Sequence, residues 1–178
     1  VAKFYGFGYP GGAVIDRLAK NGDPKAARFP LPTLKGDEAS VYDVSYSGLK
    51  TALINQLDKF WTSGFPKTPE NIAASFQETA VKILARSLLR AVRDTGLRTI
   101  VAGGGVAANS RLREILAADR TLRCVFPPPH LCTDNAAIIA GVGYHFLARG
   151  DRSPWETTAS ARVQGFKRGR VGALKILP

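Results

Sequence analysis

A glycine cluster set between two short apolar runs constrains this chain more than any other feature. Thr99-Ile100-Val101-Ala102 is apolar and ends at Gly103, Gly104 and Gly105. Leu112, Ile115 and Leu116 follow at helical spacing, with Arg111, Arg113 and Glu114 off their face. Strand, glycine turn and helix in that order is how α/β folds present backbone to a phosphate or a nucleotide. The order then repeats. Leu122 to Phe126 predicts a strand, Pro127-Pro128-Pro129 a rigid connection, and Thr133-Asp134 the cap of an apolar helix reaching Ala148.

The physics of the first unit is direct. Glycine lacks Cβ, so a ligand can lie against the main chain and φ > 0 costs little. The unpaired N–H groups of the next helix, with its dipole, favour an anion or a polar ring. Asn109 stands where that helix starts, and its amide can donate and accept toward a base or ribose. It also suits an ordinary N-cap, and three glycines also suit a plain tight turn. Residue chemistry alone leaves both readings open.

Length and charge narrow the class. A chain of 178 residues can bury one core, and an apolar content of 45% with 22% charged residues argues against disorder. The apolar runs are too short for a membrane span. Two cysteines, Cys124 and Cys132, build no disulfide framework and match no common zinc spacing, which fits a reducing cytoplasm. The chain opens on Val1 and contains no methionine, so a piece of a longer protein is expected. The net charge of +11 includes a stripe of Lys82, Arg86, Arg90 and Arg93 on a helix expected over Glu70–Asp94, opposite Ile72, Phe76, Ile83 and Leu84. Such a stripe suits either a solvated face or contact with RNA phosphates.

Four motifs in one order carry a resemblance: GYPGG at residues 8–12, SYSGLKT at 45–51, AGGGVAANSRLR at 102–113 and CTDNAAIIA at 132–140. From Val1 to about Gly150 the chain resembles the C-terminal half of the TsaD/Gcp family, tRNA adenosine threonylcarbamoyltransferases formerly described as glycoproteases (O-sialoglycoprotein endopeptidases). The resemblance implies an α/β, actin-like fold shared with sugar kinases and the Hsp70 ATPase. Residues 1–150 would be its C-terminal lobe, a mixed sheet flanked by helices, and 151–178 a peripheral basic tail with Arg162, Lys167, Arg168 and Arg170.

For the site, the resemblance implies that Gly12, Gly103, Gly104, Gly105 and Asn109 face the nucleotide or substrate. It makes Asp134 one ligand of a catalytic iron or zinc, beside two histidines four apart on an earlier helix. Only His130 and His145 occur here, and they form no such pair, so the other ligands are expected outside this chain. The implied reaction moves a threonylcarbamoyl group from threonylcarbamoyl-AMP to N6 of the adenosine beside the anticodon, with ATP or ADP as a further ligand. The implied partners are tRNA, a paralogous TsaB-like subunit and a TsaE-like ATPase, without a membrane. Catalysis by this chain alone is not expected. No nucleophile elbow or Ser-His-Asp ordering is present, and acyl transfer from a mixed anhydride needs charge stabilisation more than a covalent nucleophile. A non-catalytic actin-like scaffold subunit is one alternative; another actin-like phosphotransferase is a second, though no phosphate-binding hairpin is recognisable.

The rest of the chain reads in order. Val1 to Phe7 suggests the end of a helix, Tyr9 to Gly12 a turn, and a helix to about Ala19 would bury Val14, Ile15 and Leu18. Phe29-Pro30-Leu31-Pro32 can pair only at an edge or irregularly. Val41 to Tyr46 alternates as a strand, and Ser47 would cap a helix carrying Leu49, Leu53, Leu57 and Phe60 on one side. Thr68 or Pro69 would start the basic helix, and Gly96 would end it.

Overall fold

The computed structural model describes residues 1–31 and 42–158. Five α-helices and two strands follow one another among the described residues: α1 Gly11–Ala19, α2 Ser47–Phe60, α3 Pro69–Thr95, β1 Thr99–Val101, α4 Ser110–Ala118, β2 Arg123–Val125 and α5 Ala136–Ala148. Single 3-10 turns at Gly105–Ala108 and Pro129–Leu131 precede α4 and α5.

Helix α3 is the beam on which the rest hangs, and its ends follow the expected chemistry. The Thr68 hydroxyl accepts from the Asn71 N–H at 3.2 Å, and Pro69 occupies the first position, where no intrahelical N–H is needed. Gly96 closes it at φ 69°, a left-handed conformation that Cβ disfavours, with its N–H donating to Val92. Three apolar clusters run along the beam. Ile15 of α1 packs with Ala2 and Ala73. Leu49, Ala52 and Leu53 of α2 pack with Ala27, Phe29, Ile72 and Ile83, and Leu57 and Phe60 lie against them. Val81 joins Ile100 of β1 to Leu112 and Leu116 of α4.

The apolar periods of α1, α2, α3 and α4 thus face the core as their spacing predicts. Strands β1 and β2 pair in parallel with Thr99 opposite Arg123, Ile100 opposite Cys124 and Val101 opposite Val125, and α4 is the crossover between them. Where the resemblance implied a mixed sheet, the described residues form this two-stranded parallel one and a single antiparallel bridge, Ala27 to Trp61.

Four local expectations are corrected. Residues 1–7 form hydrogen-bonded turns, Tyr5 N–H to Val1 and Phe7 N–H to Ala2, without becoming a helix. Residues 42–46 form no strand, because no neighbouring strand offers them a ladder; Val41 lies outside the described residues. Ser47 is the first residue of α2 and Tyr46 its cap, with no side chain closing the end. Helix α5 is capped by Asn135, whose Oδ1 accepts from Ile138 N–H at 3.1 Å, so Thr133 and Asp134 lie before the cap. The amide of Asn135 reaches three residues ahead and also donates to Thr133 C=O at 2.9 Å, which anchors the cap one residue later than the threonine predicts. Pro32 and all but residues 151–158 of the expected tail lie outside the described residues.

Candidate functional site: the glycine turn and the start of α4

After β1, the Ala102 N–H donates to Val125 C=O at 3.1 Å and extends the pairing by one residue before the chain turns. Gly104 makes the turn at φ 82° and ψ 172°, a backbone region open to glycine and strained for other residues. A Cβ built at Gly103, Gly104 or Gly105 meets no atom within 4 Å. All three are exposed. Their N–H groups donate to no protein group among the described residues. The turn is open and leaves a row of main-chain donors uncovered.

The start of α4 departs from the simplest expectation. Asp16 of α1 occupies the place of the expected anion, its Oδ1 accepting from the Ser110 N–H at 3.1 Å and the Ser110 hydroxyl at 2.8 Å. Asn109 caps the helix, accepting from the Leu112 N–H at 3.0 Å, while its Nδ2 donates to Oε1 of Gln77 on α3 at 2.9 Å. Among the first amides of α4, those of Ser110, Leu112 and Arg113 are thus satisfied within the protein, which leaves the glycine amides as the larger open set for an anion. One amide hydrogen and one lone pair of Asn109 remain available to a ligand.

These contacts relate α1, α3 and the start of α4. Gly12 lies one turn before Asp16 on α1, exposed and with open space around its Cβ position. Asp16 ties that turn of α1 to Ser110, the residue after Asn109. Gln77 is only 7% exposed and among the described residues its side chain pairs with Asn109, so the buried amide holds the cap in one orientation. Sequence reasoning missed Asp16, Gln77 and Ser110. A carboxylate four residues beyond Gly12, on the polar side of α1, was the available signal for Asp16; a glutamine inside an apolar helical stretch was the signal for Gln77.

Arg111 braces α4 on α3. Its Nε and Nη2 reach the two oxygens of Glu78 at 2.7 and 3.3 Å, and Lys82 Nζ lies 3.0 Å from Glu78 Oε1. The Arg111 guanidinium, and then Lys82, hold the Glu78 carboxyl below the usual carboxylate range although its burial opposes this. Of the basic stripe, Lys82 is thus partly neutralised and Arg90 pairs with Asp94 at 3.6 Å. Arg86 and Arg93 are exposed and form no ion pair among the described residues.

Asp134 is exposed in the bend between the second 3-10 turn and α5, and forms no ion pair among the described residues. His130 lies in that 3-10 turn and His145 in the last turn of α5. No three His, Cys, Asp or Glu side chains among the described residues are grouped as metal ligands. The donors present among the described residues do not build an iron or zinc site by themselves; Asp134 offers one of the several ligands such a site needs. No helix among the described residues is long and apolar enough to cross a membrane.

Known proteins are similar to this chain in sequence. The family model described as "tRNA N6-adenosine threonylcarbamoyltransferase" (TsaD) matches residues 1–141. A protein of that name from Treponema denticola is 68% identical over 171 residues, covering 96% of this chain and 50% of its own length. Its namesake in Treponema pallidum is 57% identical over 170 residues, covering 95% of this chain and 48% of the relative. One from Borreliella burgdorferi is 46% identical over 167 residues, covering 94% and 48%. The chain spans about half the length of the curated relatives it matches. The match covers Gly12, the glycine turn, Asn109 and Asp134, and by it the chain belongs to the tRNA N6-adenosine threonylcarbamoyltransferase family.

Proposed function

We propose that this chain is the C-terminal, nucleotide-facing half of an enzyme that transfers the threonylcarbamoyl group of threonylcarbamoyl-AMP to N6 of the adenosine beside the anticodon. The N6 amine attacks the carbamoyl carbon of the mixed anhydride, the C–O bond to the phosphate breaks, AMP departs with the electron pair, and N6 loses a proton. Charge develops on the carbonyl and phosphate oxygens, which is where preorganised main-chain donors act. In this reading Gly12, Gly103, Gly104, Gly105 and Asn109 hold the adenylate, in the C-terminal lobe of an actin-like fold. ADP or ATP fits the same donors.

What supports the reading, beside family membership, is the uncovered row of glycine N–H groups next to a cap whose amide is held by Gln77. Asp134 is the family's matching metal position, and its fellow ligands to iron or zinc would come from outside this chain. Arg86 and Arg93 are the cations of α3 available to tRNA phosphates. The TsaB-like and TsaE-like proteins are the partners this reading assigns, with the reaction in the cytoplasm.

Calorimetric titration with ADP tests the nucleotide site. Binding is expected, and Gly104→Ala, strained at that φ, is expected to weaken it about tenfold. Absence of binding by the unsubstituted chain would turn the reading toward a non-catalytic scaffold subunit. In a transfer assay with threonylcarbamoyl-AMP and unmodified tRNA, the chain alone is expected to show no turnover, and turnover like that of a full-length relative would refute the half-enzyme reading.

A further inference from the structure

One guanidinium joins the two halves of the candidate site. Arg113 of α4 donates from Nε to the Ala107 carbonyl at 2.7 Å. Its Nη2 donates to the Pro127 carbonyl at 2.6 Å and lies 3.3 Å from Cys132 Sγ. The guanidinium carbon stands 4.7 Å from the centroid of the Phe126 ring. Ala107 belongs to the 3-10 turn that follows the glycines, Pro127 is where the chain leaves β2, and buried Cys132 is two residues before Asp134.

The chemistry explains why an arginine stands there. Three successive prolines after β2 have no N–H; Leu131 and Cys132 N–H close the following turn on the Pro128 and Pro129 carbonyls, which leaves the Pro127 carbonyl without a main-chain donor among the described residues. A planar fork with five N–H donors supplies one from α4, reaching several acceptors at once while its face rests on an aromatic ring. Hydrogen bonds from a charged donor are also stronger than neutral ones. The neighbouring Arg111 spends its donors on Glu78 and Glu114, outside this junction.

We infer that Arg113 is a positioning residue that sets the spacing between the glycine turn and Asp134, so that a ligand at the turn is felt at the aspartate. The coupling rests on the nucleotide reading above; the bracing of the two segments does not. Hydrogen–deuterium exchange of the 178-residue chain, with and without ADP, tests both. Without ligand, Arg113→Met speeds exchange of the hydrogen-bonded amides of the two segments, Ala107 and Asn109 in 103–109 and Leu131 and Cys132 in 127–135, about tenfold and leaves the centre of α3 unchanged. With ADP, the unsubstituted chain slows in both segments, whereas Arg113→Met slows only in 103–109. Arg113→Lys keeps the charge but not the fork, and shows the same loss of coupling; if the methionine variant loosens α3 as well, the lysine variant decides. Unchanged exchange in both segments, or full slowing of 132–135 by ADP in the variants, overturns the inference. If ADP slows neither segment of the unsubstituted chain, the nucleotide reading fails, and the ligand-free rates still decide whether Arg113 braces the junction.

Discussion

Helices α3 and α5 reverse the ordinary relation between hydrophobicity and burial. Helix α3 is an amphipathic sequence with a charged stripe, yet Asn71, Ser75, Gln77 and Thr79 are buried in it alongside Ile72, Ala73, Val81 and Ile83. Each of these polar residues has a partner: Ser75 Oγ accepts from the Ala27 N–H at 2.9 Å, and Asn71 accepts from the Asp23 N–H at 2.8 Å. Helix α5, AAIIAGVGYHFLA, is the most apolar helix and buries none of its residues. Ile139 is 73% exposed and Tyr144 69%. Burial follows from what surrounds an element. Helix α3 meets α1, α2, β1 and α4 along its length, while among the described residues nothing covers α5.

Four experiments break or sharpen that contrast, beginning with the largest effect. Ile72→Ala removes a buried side chain shared by α3 and the α2 cluster and is expected to cost about 2–5 kcal/mol in denaturant unfolding. A cost below about 1 kcal/mol would mean that the beam is not the core. Gly22→Ala comes next. A Cβ there would overlap the Glu70 carbonyl at the start of α3 and lie 2.8 Å from Asn71 N. The backbone must shift, at about 1–3 kcal/mol in the same measurement.

Glu78→Gln tests the polar brace and carries a pH signature. Because Arg111 and Lys82 hold the folded carboxyl below its unfolded value near about 4.3, its contribution is complete above that pH and is lost as pH falls through the folded value. Discounting for the exposed faces of Arg111 and Lys82, the variant is expected to lose about 1–2 kcal/mol at neutral pH. Its stability should also fall less steeply in acid than that of the unsubstituted chain. Equal acid slopes would remove Glu78 from the account.

The smallest effect belongs to α5. Ile139→Ser and Tyr144→Ser are expected to change stability by less than about 0.5 kcal/mol while lowering the fluorescence of a dye that binds apolar surface. A loss as large as that of Ile72→Ala would show that α5 is covered after all.

How much was legible beforehand differs by element. The ends of α3 were readable from Thr68, Pro69 and Gly96 because caps are local chemistry. The glycine turn was readable for the same reason, since Gly104 adopts a backbone angle that few residues tolerate. The strand expected over residues 41–46 was not, because alternation describes a face and a strand also needs a neighbour to pair with. Asp134 moved out of the helix because Asn135 competes with Thr133 for the cap, and one residue of register is beyond what propensity resolves. Gln77 and Asp16 were invisible as parts of the site, each lying 32 and 94 residues from its partner in α4 or its cap.

The amino-acid sequence by itself determined the order of elements from α3 to α5, the apolar faces of α1 to α4 and the turn at Gly104, because these depend on neighbours within a few residues. Only the tertiary structure decided that Asp16 takes the anion's place at α4, that Gln77 orients Asn109, and that Arg113 ties the glycine turn to the approach of Asp134. Those are contacts between side chains that periodicity leaves unassigned. Their energies depend on burial and direction, which exist only once the chain has closed on itself.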